Sequence, residues 1–481
     1  MMAQFMAAVE GTIVGAAMPT IAGALGGFEL FPWVFSAYML AQAAATPIYG
    51  KLADLHGRRQ VFSLGTILFL VGSLACGFAW GMLPLVFFRA IKGLGAGAVQ
   101  PVAYTIMADI YDPADRARMQ GWLSAVWASS AIFGPLLGAA LVQQVHWSAV
   151  FWINVPVGVA AIAILRLHLH EHIAARAHRI DWAGAALLVV SVCSLMLALI
   201  QGRTLSGSLV TGLLVLGVLA ACLLAVHELR TPEPILPFVL WRHRVLAVGN
   251  LGTLAVGMFI MINIVFVPTF IQGGMGRSIT IAGIAIGLSS IGWTTAAILA
   301  GRLMLRTSYR FTALVGGAGA IIAVLVLTRL RIDSWVGWAI FGNFVVGASM
   351  GFANTTFSIS VQTAVDWNLR GAVTAANMFM RTMGQALGAG LFGAVLTGWI
   401  AGVGPDAGDE VNRLLAPGGR AHMAAAEVSR LADAIGGGMH DIYRLAVLLA
   451  ACVLLLAWAI PARLNPVRTR TVGASTPAEA D

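Results

Sequence analysis

The sequence predicts an all-α integral membrane protein of about fourteen transmembrane helices. Three observations carry this. Of the 481 residues, 59% are hydrophobic and only 10% charged, where a soluble domain carries about 25% charge. Mean hydropathy is +0.87. The apolar residues also recur in runs of about 20, the length that crosses a bilayer as a helix.

In chain order, spans are expected at roughly 3–25, 32–51, 60–80, 83–107, 118–143, 148–168, 180–201, 207–227, 244–272, 280–304, 311–329, 335–362, 371–402 and 439–461. The first run lacks a basic segment before it and is too long for a signal-peptide core, so it is read as a helix. An even count puts both termini on one side of the membrane. Most of the 29 Lys and Arg residues, among them Lys51, Arg58, Arg59, Arg116, Arg118, Arg242, Arg306, Arg310 and Arg463, fall on the side of the 50–59 segment. The positive-inside rule makes that side, and both termini, cytoplasmic. The net charge of +9 therefore follows topology and gives no reason to expect nucleic acid. Cys76, Cys193, Cys222 and Cys452 lie within apolar spans, with no disulfide or metal spacing.

Ionisable groups in hydrocarbon are costly, so each is a functional candidate. Glu10 is the one acid well inside an apolar span; Asp109 and Asp181 sit at helix ends. Arg89, Lys92 and Arg381 are the intramembrane cations. A carboxyl buried at that depth is a candidate proton carrier. Counting about 1.5 Å per residue from the cytoplasmic helix ends puts Glu10 roughly 10 Å deep and Arg89 roughly 27 Å deep. Longer-range coupling rather than a direct ion pair is therefore expected.

The segment Gly50-Lys-Leu-Ala-Asp-Leu-His-Gly-Arg-Arg59 resembles the signature loop between helices 2 and 3 of major facilitator superfamily transporters. In it, Gly50 and Gly57 permit tight turns, Asp54 can face a helix N-terminus, and Arg58 and Arg59 hold the loop in the cytosol. Val9-Glu-Gly-Thr-Ile-Val-Gly-Ala-Ala-Met-Pro19 is similar to the first-helix motif of the fourteen-helix drug:proton antiporters (EmrB/QacA-like), with Glu10 where Asp is usual and Gly15 where Asn is usual. Phe88-Arg-Ala-Ile-Lys-Gly-Leu-Gly-Ala-Gly97 is similar to their fourth-helix motif, with Lys92 in place of Gln. Gly134-Pro-Leu-Leu-Gly138 resembles the fifth-helix motif of exporting antiporters. There Pro135 removes a backbone donor and bends the helix, while Gly134 and Gly138 let a neighbour approach. His146-Trp-Ser-Ala-Val-Phe-Trp-Ile-Asn-Val-Pro-Val-Gly158 resembles the junction before helix 6, with Ser148 and Ala149 departing from it. Arg381-Thr-Met-Gly-Gln-Ala-Leu-Gly388 resembles the thirteenth-helix motif.

A degenerate echo of the signature, Ala300-Gly-Arg-Leu-Met-Leu-Arg-Thr-Ser-Tyr-Arg310, pairs Gly301 with Gly50 and Arg310 with Arg59. The major facilitator fold that the resemblance implies has two six-helix halves, here 1–179 and 244–470, with two extra central helices in 180–243 and a disordered tail at 471–481. His168, His170, His172 and His178 are better read as part of a solvated basic linker than as a metal site. Segment 231–237 reads as a stiff connection, and 403–438 as a long loop with a short amphipathic helix from Arg420 to Ile435. No phosphate-binding loop, nucleophile elbow or metalloprotease box is present, so an enzyme is not expected.

The resemblance implies a proton-coupled antiporter that exports drugs or other lipophilic compounds across a bacterial inner membrane by alternating access, with no cofactor beyond the proton gradient. Glu10 and Arg89 would couple the proton, and Glu10, Arg89, Lys92, Trp127 and Arg381 would line the substrate cavity. Gly50, Asp54, Gly57, Arg58, Arg59, Gly134, Pro135 and Gly138 would govern the conformational change. Expected partners are the lipid bilayer, protons and small lipophilic substrates, with a periplasmic adaptor as a further candidate and a monomeric state. A dedicated exporter of one natural product or siderophore shares every motif. A proton-coupled nutrient symporter is the other alternative, and the fifth-helix motif argues against it.

Overall fold

The computed structural model describes residues 1–110, 113–169, 181–201, 205–231, 243–365, 370–416 and 418–461, and the regular structure among them is helical. The helices are α1 (Met2–Leu25), α2 (Phe31–His56), α3 (Arg58–Gly77), α4 (Met82–Ile110), α5 (Pro113–Gln144), α6 (Ala149–Trp152), α7 (Asn154–His168), α8 (Trp182–Gln201) and α9 (Gly207–Glu228). The second part of the chain forms α10 (Arg244–Met261), α11 (Val267–Thr269), α12 (Ile279–Arg306), α13 (Tyr309–Leu327), α14 (Val336–Thr363), α15 (Arg370–Ala401), α16 (Ala407–Leu415) and α17 (Ala425–Ala459). Among the described residues, 11 helical segments are long and apolar enough to cross a membrane, and Trp182–Ala198 is a shorter apolar one. α2 and α5 are long helices outside that group.

Local chemistry sets the ends. Gly26 and Gly27, both at φ 70, stop α1, and Pro32 occupies the first turn of α2, where its missing N–H costs nothing. Ser278 and Ser308 accept hydrogen bonds from the backbone N–H groups of Ile281 and Phe311, capping α12 and α13. α10 continues through π-helical turns at Ile262–Phe266 and Phe270–Gly274. Pro268 lies between them and cannot donate a helical hydrogen bond. The helix expected at 148–168 is interrupted at Ile153, between α6 and α7.

Small residues line the close helix crossings, while large apolar side chains both fill the core, as Phe69, Phe151 and Phe266 do, and face outward. Phe87, Val215, Leu219, Leu455 and Trp458 are exposed. α1 to α7 pack among themselves, with α4 against α2 and α3; α10 to α17 do likewise, with α14 against α12 and α13. The two groups meet along α5 with α12 and α2 with α15, while α1 lies against the π-helical turns. α8 and α9 pair with each other, and α8 touches α2 and α15.

Two expectations change. The 50–59 segment is not a loop: α2 runs to His56 and α3 starts at Arg58, leaving Gly57 as the whole junction at φ 88 and ψ 145. That conformation is nearly closed to residues with a Cβ, whereas Gly50 is helical with open space around it. The amphipathic run from Arg420 is not a separate helix either. Its Leu431, Ala432 and Ile435 are buried in phase with the apolar remainder of α17, so one helix begins at Ala425. The helix of that loop is α16, with Val411, Leu414 and Leu415 buried. It packs on α1 and the turn Phe28–Leu30 as well as on α15 and α17. Two ion pairs, Glu410–Arg430 at 2.5 Å and Arg413–Glu427 at 3.5 Å, tie it to α17.

Candidate functional site

Glu10, Arg89 and Lys92 form one cluster inside the first helix group. Close helix contact builds it. A Cβ on Gly72 of α3 would lie 2.6 Å from the Lys92 backbone nitrogen, and one on Gly93 of α4 would lie 2.3 Å from the Tyr38 carbonyl oxygen. α4 therefore sits tightly between α2 and α3, with its two cations turned towards α1. Glu10, Arg89 and Lys92 are 1%, 2% and 0% exposed, so their charges are compensated by protein groups and not by water.

Arg89 donates from Nη1 to Glu10 Oε1 and from Nε to the Val34 carbonyl at 3.0 Å. Its guanidinium lies 4.3 Å from the Tyr38 ring centroid. Lys92 Nζ donates to Glu10 Oε2 at 2.5 Å and lies 4.7 Å and 5.2 Å from the ring centroids of Phe69 and Phe151. Asn154 Nδ2 donates to the same Oε2 at 3.0 Å. One acid thus holds two cations, and the aromatic faces take up part of the remaining positive charge.

The direct Glu10–Arg89 pair overturns the expected separation. The helix ends are not level: Gln4 Nε2 donates to the Gln100 carbonyl at 3.4 Å, and α4 continues to Ile110 beyond that point. Depth counted from each helix's own end therefore misplaced Arg89. Asn154 and Tyr38 were missed as site residues. Asn154 stood in the quoted junction before α7, and its signal was the cost of burying an amide in an apolar span.

The other candidates lie elsewhere. Arg381 is half-buried on α15 in the second group, where its carbonyl oxygen would be 2.3 Å from a Cβ on Gly257 of α10. The side chains of Asp54 and Trp127 lie outside the described residues, as do His170, His172 and His178. Arg58 opens α3, and Arg59 Nη1 donates to the Leu169 carbonyl just past α7 at 3.3 Å. Arg59 thus ties the Gly57 junction to its own helix group. A Cβ on Gly134 would lie 2.3 Å from Thr12 Oγ1, and one on Gly138 would lie 2.8 Å from Ile13 Cγ1, so both glycines hold α5 against α1. The Pro135 carbonyl faces Gly283 of α12, making this stretch of α5 part of the seam between the groups.

That seam is tied on the face opposite the Gly57 junction. Ser36 Oγ donates to the Ala386 carbonyl at 3.3 Å, Gln272 Nε2 to the Ala16 carbonyl at 3.2 Å, and Gln143 Nε2 to Thr280 Oγ1 at 3.1 Å. Gly15 meets Ile264 there: a Cβ would be 2.5 Å from the Ile264 carbonyl oxygen.

Comparison with known proteins agrees with this architecture. The chain is 32% identical over 471 residues to multidrug resistance protein 3 of Bacillus subtilis (strain 168), covering 94% of this chain and 92% of the relative. It is 32% identical over 399 residues to the multidrug transporter protein MdtP of the same organism, covering 82% and 73%. It is 34% identical over 289 residues to the multidrug export protein EmrB of Escherichia coli (strain K12), covering 59% and 56%. Among solved structures, a bacterial homologue of the human lysosomal transporter Spinster, in an inward-facing and unoccupied conformation, superposes with a TM-score of 0.68 at 16% identity over 95% of each chain. The model of the Major Facilitator Superfamily matches residues 1–389, and the chain is a membrane transporter of that superfamily.

Proposed function

We propose that the protein is a proton-coupled antiporter that exports drugs or other lipophilic compounds across a bacterial inner membrane, with both termini in the cytoplasm. The observation that carries this reading is the buried Glu10 carboxylate, held by Arg89, Lys92 and Asn154. The names of the B. subtilis and E. coli relatives support drug export.

Fourteen membrane helices would form two six-helix halves, within 1–179 and 244–470, with α8 and α9 between them. The face tied by Ser36, Gln272 and Gln143 is the periplasmic one in this reading, so the described state is closed to the periplasm. In it every Glu10 oxygen meets a donor, which suits the ionised form. Opening to the periplasm would shift α1 against α4, loosen this clamp and let Glu10 take a proton; return to the present arrangement would expel it inward. Substrate would leave on the opposite stroke. Arg381 and Trp127 would line the substrate cavity between the halves. Gly57, Asp54, Arg58 and Arg59, with Gly134, Pro135 and Gly138, would govern the exchange of states.

The test is Glu10→Gln in proteoliposomes with an imposed pH gradient and fluorescent lipophilic dyes of either charge. Loss of uphill, gradient-driven export at normal membrane insertion is expected. Uphill export retained by Glu10→Gln would remove this acid from the mechanism.

A further inference from the structure

We infer that Asn154 is the group that lets Glu10 exist in both protonation states, by turning its side-chain amide from donor to acceptor. The inference rests on the reading of Glu10 as the proton carrier and assigns a function to a residue outside the motif acids and bases.

The argument is one of hydrogen-bond inventory. Arg89 and the ammonium of Lys92 have donors only and no acceptor. They satisfy a carboxylate, but a protonated carboxyl carries an O–H that needs an acceptor. Buried groups left without partners are costly. Among the three side chains that contact the Glu10 oxygens, Asn154 alone carries an acceptor as well as donors. In the described state its Nδ2 donates to Oε2 at 3.0 Å, with the Phe151 carbonyl at 3.3 Å and Ser73 Oγ at 3.5 Å. Half a turn about the terminal torsion would present Oδ1 to Glu10 instead.

The surroundings suit such a turn. Asn154 is 2% exposed, so no bulk water competes for the proton. It is the first residue of α7, directly after the helix break at Ile153. Ser73 Oγ donates to the Phe151 carbonyl at 2.7 Å, and a hydroxyl can rotate to follow a turned amide. The titratable and charged groups facing the site are Glu10 on α1, Tyr38 on α2, Cys76 on α3 and Arg89 and Lys92 on α4.

The test reads the carboxyl itself, without substrate. Infrared difference titration of the full-length protein in detergent should show a protonated-carboxyl band that is absent from Glu10→Gln. Asn154→Leu keeps the volume and removes both donor and acceptor. It should move the band to higher frequency, because the protonated carboxyl loses its acceptor, while the titration midpoint, which loses one partner in each protonation state, moves by less than about threefold in proton concentration. Asn154→Gln, which keeps the amide, should restore the band. An unchanged band in folded Asn154→Leu would overturn the inference, as would failure of folded Asn154→Gln to differ from Asn154→Leu. If instead the band behaves as expected while Glu10→Gln still drives uphill export, the antiport reading fails and the assignment of Asn154 stands.

Discussion

Neutralising Glu10 should destabilise the protein, and neutralising Lys92 as well should partly repair it. Glu10 is the shared counter-charge of Arg89 and Lys92, all three at 2% exposure or less. In Glu10→Gln the two cations face one neutral amide. Two unit charges about 5 Å apart repel by about 3 kcal/mol at an effective dielectric of about 20, and breaking a buried pair from one side costs about 3–5 kcal/mol. In Lys92→Gln, Arg89 and Asn154 still hold the carboxylate and the new amide can donate to Oε2, so a loss of about 1–2 kcal/mol is expected. In the double variant the amide oxygen introduced on α1 accepts from Arg89 with no second cation nearby, so about 2 kcal/mol or more of the Glu10→Gln loss should return. The assay is thermal unfolding of the four proteins in the same detergent. The expected order is wild type, then Lys92→Gln, then the double variant, with Glu10→Gln lowest. If the double variant were less stable than Glu10→Gln, the two residues would not form the shared cluster described.

Three further outcomes follow from other contacts. Gly57→Ala places a Cβ at φ 88; a strain of about 1–3 kcal/mol should slow dye export several-fold while equilibrium dye binding in detergent stays within twofold, and an equal loss of both would refute a gating role. Asp54→Asn should likewise slow transport more than it weakens binding, read in the same two assays. Gly15→Asn drives a side chain into the Ile264 carbonyl and should shift the population away from the state closed at that crossing. Thiol labelling of a cysteine placed at Gln272 should rise, and unaltered labelling would show that this crossing does not control closure.

The sequence made the cluster visible through one physical fact, the cost of charge in hydrocarbon. It picked out Glu10, Arg89, Lys92 and Arg381 from a chain with few ionisable groups inside its spans. It could not show which of them meet. That depends on how far each helix projects past its neighbours, and the level of α4 against α1 is set by contacts such as Gln4 with Gln100. Asn154 is neutral, so an argument from charge passes over it. The 50–59 segment read as a loop because its glycines, aspartate and arginines all favour loops; only Gly57 has a backbone that requires glycine. Small-residue spacing did point to close contact at Gly134 and Gly138, since the rule concerns room for a neighbour and not which neighbour arrives.

α16 sets a limit on the energetics of the proposed proton-driven cycle. It belongs by chain to the second helix group, yet it lies on α1 and the turn after it, where a Cβ on Gly23 would be 2.3 Å from the Ala416 nitrogen. If the halves part on this face, Val411, Leu414 and Leu415 come off one of their surfaces. Leaving all three in water would cost about 4.5–9 kcal/mol at about 1.5–3 kcal/mol each. One proton falling through about 100 mV releases about 2.3 kcal/mol. At that potential, one proton in the proposed coupling is too weak to strip this helix bare. Its ion pairs to Arg430 and Glu427, by contrast, are worth at most about 1 kcal/mol each. α16 should thus yield at its charged edge and keep its apolar edge covered, sliding over the seam as it opens and never lifting clear of it.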